Sequence, residues 1–224
     1  MIGRVLKRGS RVYGLLWYLY SEGKECTHSD PHLVSGWQHP AELEPSLRPD
    51  GKPYLQPLAE LLEQPLSLLG DRVPDKPVWH CAVRAAPGDP DLGDGAWMRI
   101  AGEIMHRTGL SRYGEEDDGV RWVAVHHGEN HIHIVATLGR QDGRQAALHN
   151  DFYRIGEALR DIEREYGLQV VARADRTAAK NPTRAEQEKA GRAGRAEAPR
   201  VTLRRNVAAA AAVRIRGRMV KASR

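Results

Sequence analysis

The chain has 224 residues, of which 41% are hydrophobic, so it can bury the core of one sizeable domain or of two small ones. No run approaches the roughly 18 apolar residues that span a bilayer, and the N-terminus lacks the apolar stretch of a secretory signal, so we expect no membrane insertion. The two cysteines lie far apart and form no CxxC pair, which favours a cytoplasmic protein with reduced thiols.

The net charge of +5 is divided unevenly along the chain. Residues 172–224 hold 15 of the 34 Lys and Arg and 4 of the 29 Asp and Glu, a net charge of +11, whereas residues 1–171 sum to −6. The C-terminal part is rich in Ala and Arg and poor in large apolar residues, so it cannot bury much surface. We therefore predict a folded domain at 1–172, a basic segment at 173–224 and a polyanionic partner. The arginine-rich ending leaves open whether the chain is part of a longer protein.

The first predicted elements are a strand and a helix. Loose alternation over residues 1–7 indicates a short strand, and Ser10 is a candidate N-cap for the helix that follows. We expect that helix to end at Gly23. Its core-facing stripe follows the i, i+3, i+4, i+7 spacing and consists of Val12, Leu15, Leu16 and Leu19. Tyr18 and Tyr20 flank this stripe on opposite sides, so helical geometry alone does not choose which of them reaches a cleft.

The next part of the chain predicts a long connection and a broken helix. Residues 26–57 are rich in Pro, His, Ser and Gly, which indicates mostly loop with a short helix at 33–37. Residues 58–70 predict a helix that is bent or broken at Pro65, because proline removes a backbone donor and clashes with the preceding turn.

The second half of the chain predicts three strands and two helices. The strands are rich in β-branched and aromatic residues and are bounded by turn residues. Asp94 is a candidate cap of the first helix, and Asn150 or Asp151 of the second. The predicted strands lie at 77–85, 120–127 and 131–138, and the helices at 96–110 and 152–168.

Four of the ten histidines lie within the eight residues "HHGENHIH" (126–133). Alternate residues of a strand share a face, so His131 and His133 project together, with Cα atoms about 7 Å apart. A three-residue turn at 128–130 places His127 across from His131, whereas a two-residue turn would put His126 there. We favour the three-residue turn. Three converging imidazoles predict a metal site with open positions, which is the catalytic pattern, although an exposed hairpin without an ion is the alternative.

Other histidine chemistries fit less well. A histidine-triad nucleotide hydrolase needs a third alternating histidine where Val135 stands, and no His-Glu-x-x-His helix is present. Cys26, His28 and His32 have only loose metal-ligand spacing, so we do not expect a second metal site there.

Several segments together resemble a known family of DNA-processing enzymes. They are "RGSRVYGLLWYLY", "DPHLVSGW", "VWHCAVRAAP", "VRWVAVHHGENHIHIVATLGRQDGR" and "HNDFYR". In combination they look like relaxases of the mobilisation family, specifically the actinobacterial nucleases of plasmids and integrative elements, over roughly residues 1–205. These belong to the HUH class, named for the His-hydrophobe-His pair on a strand. The resemblance implies an α/β fold in which a central antiparallel sheet carries the histidine-bearing strands in its middle and is covered by helices.

The resemblance also implies the chemistry. Tyr18 is the nucleophile, and His127, His131 and His133 bind a divalent metal ion, Mn²⁺ or Mg²⁺, with Zn²⁺ as a further alternative. The enzyme nicks one DNA strand at an origin of transfer, through a 5′-phosphotyrosyl intermediate and a free 3′-hydroxyl. Its partners are that single-stranded DNA, accessory DNA-binding proteins and coupling proteins. Many relatives have a longer spacing before the His-hydrophobe-His pair, which keeps His126 as an alternative to His127.

Three arginines and two rival functions complete the predictions. Arg8 and Arg11 at the start of the tyrosine helix, and Arg154 in the last helix of the domain, are candidate contacts to DNA phosphates. One rival is a rolling-circle replication initiator or transposase of the HUH class that uses Tyr153, although the expected lysine after it is missing. The other is a non-catalytic, metal-stabilised protein that binds nucleic acid through its basic segment.

Overall fold

The computed structural model describes residues 1–21, 30–128, 130–170 and 184–194. The chain divides into two compact units, Met1–Arg173 and Ala174–Arg224. In the second unit the structure describes helix α6 (Arg184–Arg192), and the rest of the predicted basic segment lies outside the described residues. Within these ranges, none of the helices combines the length and the apolar character that crossing a bilayer requires.

The first unit is built on a five-stranded sheet in which every neighbouring pair is antiparallel. The order across the sheet is β1-β3-β5-β4-β2, so β5 is the central strand and β4 lies beside it. These two strands carry the clustered histidines, as the sequence predicted. The strands are β1 (Ile2–Val5), β2 (His32–Gly36), β3 (Val78–Arg84), β4 (Val120–His126) and β5 (His131–Arg140).

Helices pack on both faces of the sheet. Helices α1 and α3 cover part of one face, where Val123, Val125 and Val135 join their apolar residues in one core cluster. Helices α4 and α5 cover the other face, where Trp79, Ile132 and Ile134 belong to the larger core cluster. The helices are α1 (Val12–Tyr20), α2 (Pro40–Leu43), α3 (Gln56–Glu63), α4 (Asp94–Thr108) and α5 (Asp151–Glu165), and a 3₁₀ helix (Gln64–Arg72) continues α3.

The short helix expected at 33–37 is wrong, because this segment is the edge strand β2. Leu33 and Val34 are both buried, but they belong to different core clusters on the two faces of the sheet. Adjacent apolar residues that point opposite ways are typical of a strand covered on both sides. The short run carries too little periodicity to show this, and it is the pairing with β4 that makes it a strand.

Two predicted helix caps are also wrong. Helix α1 starts after Arg11 rather than Ser10, and Arg11 makes no capping bond with its side chain; instead the backbone N–H of Val12 donates to the Glu63 carboxylate over 2.9 Å. Gly93 is the N-cap of α4, so Asp94 is a first-turn residue whose carboxylate faces other partners. Helix α1 ends at Tyr20, and the predicted stop at Gly23 lies outside the described residues. The predicted break at Pro65 is confirmed by the change from α-helix to 3₁₀ helix at this point.

Candidate functional site

The turn between β4 and β5 sets the register of the histidines. His126 pairs with Ile132, and the backbone N–H of His127 donates to the carbonyl of His131 over 3.3 Å. The three-residue turn at 128–130 is therefore confirmed. Gly128 and Asn130 both have positive φ values, of 79° and 52°, which suits these residue types in a hairpin turn. The amide of Asn130 fixes the turn further, because it accepts from the Leu92 N–H and donates to the Pro90 carbonyl, each over 3.0 Å.

The register brings three imidazoles together on one face of the sheet. One ligand atom from each of His127, His131 and His133 lies within 4.8 Å of the other two. Their ring centroids are 5.1–5.4 Å apart, with the planes steeply inclined to one another. His127 is buried, whereas the other two are half-buried at the end of the strand. A donor set of three imidazoles fits a divalent transition-metal ion and leaves coordination positions for a ligand. His126 points to the other face and is not part of this triad.

Hydrogen bonds to Nδ1 orient two of these rings, those of His127 and His133. The Nδ1 atom of His127 lies 2.7 Å from the Leu19 carbonyl oxygen, so Nδ1–H donates there and Nε2 is the atom that can bind an ion. The Nδ1 atom of His133 lies 2.8 Å from Nε2 of His80 on β3. Burial lowers the pKa of His80 to about 4, so His80 is neutral near pH 7 and can accept this bond. Carbonyl and side-chain acceptors of this kind commonly hold metal-binding histidines in one tautomer.

Helix α1 places one tyrosine next to the triad and buries another. The ring of Tyr18 lies 6.1 Å from the ring of His127, and its side chain is 53% exposed. Tyr20 is buried, and its hydroxyl donates to the Glu44 carboxylate over 3.0 Å. Burial and the charge of Glu44 raise the pKa of Tyr20 far above its ordinary value. Of the two tyrosines that helical geometry left open, Tyr18 is the one whose side chain is exposed.

The three predicted DNA-binding arginines do not lie at the triad. Arg8 lines a groove at the opposite end of the sheet, together with Trp79 and Leu138. Arg11 is the N-cap of α1, seven residues before Tyr18, which is roughly 10 Å along the helix axis. Arg154 lies on α5, on the other face of the sheet, and its guanidinium donates to the Thr108 carbonyl over 3.1 Å. Their role in DNA binding stays a prediction.

Two other arginines share the triad's face of the sheet. Arg84 of β3 pairs directly with His131, and Arg4 of β1 pairs with Ala82, which in turn pairs with His133. Cross-strand partners point the same way, so both guanidinium groups project on this face. Both side chains are exposed. Sequence reasoning missed these residues and His80, although alternation in β3 carried a signal, since its polar face holds His80, Ala82 and Arg84.

Comparison with known protein families gives one match. Residues 64–168 match the sequence profile described as "Relaxase: MobA/VirD2-like, nuclease domain". This is just under half of the chain; it contains β3 to β5, α4 and α5 with the triad, and it leaves α1 and Tyr18 outside. No curated protein and no solved structure gives a significant match to the chain. The fold and the histidine-bearing middle strands agree with this match, which supports a relaxase nuclease domain of the MobA/VirD2-like kind at residues 64–168.

Proposed function

We propose that the chain is a mobilisation relaxase that nicks one strand of DNA at an origin of transfer by tyrosine transesterification. Tyr18 is the nucleophile, and His127, His131 and His133 hold a divalent metal ion, Mn²⁺ or Mg²⁺ in the first instance. The substrate is single-stranded DNA of a plasmid or integrative element. The cytoplasmic setting, accessory proteins and coupling proteins belong to the same proposal.

One observation supports the proposal most strongly: a hydrogen bond joins the tyrosine helix to the histidine triad. The carbonyl of Leu19 accepts from His127 Nδ1, so the residue next to Tyr18 is fixed to one of the three imidazoles. The exposed Tyr18 ring then lies beside the position that an ion would take. Tyr153 is disfavoured as the nucleophile, because α5 packs with β1 and α4 on the other face of the sheet.

The reaction exchanges one phosphodiester for another. The Tyr18 hydroxyl oxygen forms a bond to phosphorus and gives up its proton, while the bond from phosphorus to the 3′ oxygen breaks and that oxygen takes up a proton. A bound metal ion supplies charge stabilisation for the non-bridging phosphate oxygens. The helix would present Tyr18 to the phosphate, and the hydrogen bonds to His80 and the Leu19 carbonyl orient His133 and His127. Because the new ester keeps the energy of the old one, the strand can be sealed again without ATP.

Exposed groups around the site can bind the strand on either side of the nick. Arg4 and Arg84 supply positive charge on the triad's face, where phosphates approach. Trp17, directly before Tyr18, is 58% exposed and offers a flat surface on which an unpaired base can stack. The basic segment after residue 172 would add affinity that does not depend on sequence.

The proposal is tested with labelled single-stranded oligonucleotides that span the element's own transfer origin. With Mn²⁺ present we expect cleavage at one position and a covalent adduct that resists denaturation. EDTA and His131→Ala should each abolish both products while the protein stays folded. Tyr18→Phe should abolish the adduct and keep metal binding, and Tyr20→Phe is its matched control. Binding of DNA without cleavage under all these conditions would favour a non-catalytic DNA-binding protein. An adduct that is lost only in Tyr153→Phe would favour a replication initiator or transposase.

A further inference from the structure

A second cluster of metal-ligating side chains lies on the face of the sheet opposite the triad. His32 on β2 pairs with His126 on β4, and Asp94 in the first turn of α4 contacts both rings. His126 and His127 are consecutive in extended backbone, so their side chains point to opposite faces. One ligand atom from each of His32, Asp94 and His126 lies within 4.8 Å of the other two.

The distances within this cluster suit a shared ion. Nε2 of His32 lies 3.2 Å from Oδ2 of Asp94, and Nδ1 of His126 lies 3.7 Å from the other carboxylate oxygen, Oδ1. Ligand atoms that bind zinc at 2.0–2.2 Å in a tetrahedral arrangement are roughly 3.3–3.6 Å apart. Two of the three separations are therefore already close to this range, and the carboxylate lies between the two imidazoles.

His32 is held as metal-binding histidines usually are, and His126 presents one ring nitrogen to the carboxylate of Asp94. Nδ1 of His32 lies 2.7 Å from the carbonyl oxygen of Asp30, so Nδ1–H donates there and Nε2 faces Asp94. Nε2 of His126 is buried and has no hydrogen-bond partner within the described residues, which is an uncommon condition for a buried ring nitrogen. Nδ1 of His126 is the nitrogen that faces Asp94, so an ion would bind this ring through Nδ1.

The surroundings of the cluster are negative and open to solvent. Besides Asp94, the carboxylates of Asp91 and Asp30 act electrostatically on His126. The side chains of His32, Asp94 and His126 are 29%, 61% and 20% exposed, so an ion could enter and water could fill its remaining positions. Two imidazoles and one carboxylate are a donor set for Zn²⁺, Co²⁺ or Fe²⁺ rather than for Ca²⁺.

We propose that His32, Asp94 and His126 form a second site for a divalent transition-metal ion. The ion would join the edge strand β2, the strand β4 and the start of α4, and would thereby stabilise the strand end that presents His127. The site does not depend on the proposed function of the triad. No local pattern marks it, because its members lie 62 and 32 residues apart and only the pairing of β2 with β4 brings them together. The looser set with Cys26 and His28 lies outside the described residues.

Titration of the full chain with Co²⁺ tests this site by stoichiometry and by visible absorption. The His131→Ala/His133→Ala protein should still bind one equivalent of Co²⁺. Adding Asp94→Asn should weaken that binding at least about tenfold, because a ligand is lost. His149→Gln is the matched control, since His149 is exposed and belongs to neither cluster. Co²⁺ should also raise the Tm of the double variant, and the rise should disappear with Asp94→Asn.

The outcomes separate this site from the triad. The inference is overturned if the His131→Ala/His133→Ala protein binds no Co²⁺, or binds it as tightly after Asp94→Asn. If that protein fails to fold, the comparison is made between the wild type and the single Asp94→Asn variant. The number of bound ions should then fall by one, and an unchanged number contradicts the inference. A wild type with one ion that Asp94→Asn removes would support this site and count against the triad.

Discussion

Replacing His80 by phenylalanine tests whether an outer histidine sets the metal affinity of the triad. His80 is only 8% exposed, and its Nε2 atom lies 2.8 Å from Nδ1 of His133. Phenylalanine has a similar shape but cannot accept a hydrogen bond, so the Nδ1–H of His133 would lose its acceptor. A half-buried donor without an acceptor costs roughly 1–3 kcal/mol, and loss of an outer partner of a metal ligand lowers affinity roughly 10–100-fold. The two figures agree, since 1.4 kcal/mol is about a tenfold change.

We therefore expect His80→Phe to bind Mn²⁺ about 10–100-fold more weakly, measured by isothermal titration calorimetry. At saturating Mn²⁺ the cleavage rate should return close to that of the wild type, because Tyr18 and the three ligands are unchanged. In the metal-free protein His133 can carry its proton on Nε2 instead, so the Tm of that form should fall much less than the metal affinity. His149→Phe is the control and should leave the Mn²⁺ affinity unchanged. Equal Mn²⁺ affinity in His80→Phe and the wild type would refute the reasoning. The contact between His80 and His133 would then contribute only to packing.

Four further predictions concern other parts of the molecule. Tyr20→Phe should lower the free energy of unfolding by about 1–2 kcal/mol, because the hydrogen bond from the buried Tyr20 side chain to the Glu44 carboxylate is lost, while the adduct still forms. Arg84→Gln and Arg4→Gln should each weaken single-stranded DNA binding and reduce the salt dependence, by about 0.7 in the slope of log K against log salt for each phosphate that the variant no longer neutralises. Gly139→Ala should destabilise the protein by about 1–3 kcal/mol in a denaturant titration, since a Cβ there would lie 2.8 Å from the backbone of the 3₁₀ helix. Deletion of residues 176–224 should weaken binding to all DNA and leave the nick position unchanged, as sequencing of cleaved ends would show; cuts at new positions would contradict this division of roles.

Much of the sheet could be predicted because its central strands carry strong local signals. Val78–Arg84, Val120–His126 and His131–Arg140 are rich in strand-forming residues and bounded by turns, and the three-residue turn followed from the spacing of the histidines. That turn was enough to expect His127, His131 and His133 on one face. Because alternate residues of a strand share a face, the triad could be predicted from the sequence alone.

The parts that were missed depend on contacts between distant segments. The edge strand His32–Gly36 is short, and only its pairing with β4 shows it to be a strand. The first backbone N–H of α1 donates to the carboxylate of Glu63, 51 residues away, so no local capping residue marks the start of this helix. His80 and Arg84 became candidates only when the register placed them beside His133 and His131. Helical periodicity left Tyr18 and Tyr20 open, and only the resemblance favoured Tyr18; the burial of Tyr20 and the exposure of Tyr18 depend on packing that periodicity does not show.

The central claim is tested most directly by identifying the amino acid that carries the DNA. The adduct formed with Mn²⁺ is trimmed with nuclease and digested with trypsin, and the modified peptide is sequenced by tandem mass spectrometry. The account predicts a nucleotide joined through its 5′ phosphate to Tyr18 in the peptide 12–24, which also contains Tyr13 and Tyr20 as internal controls. A nucleotide on Tyr13, Tyr20 or Tyr153, or cleaved DNA with no modified peptide at all, would contradict it.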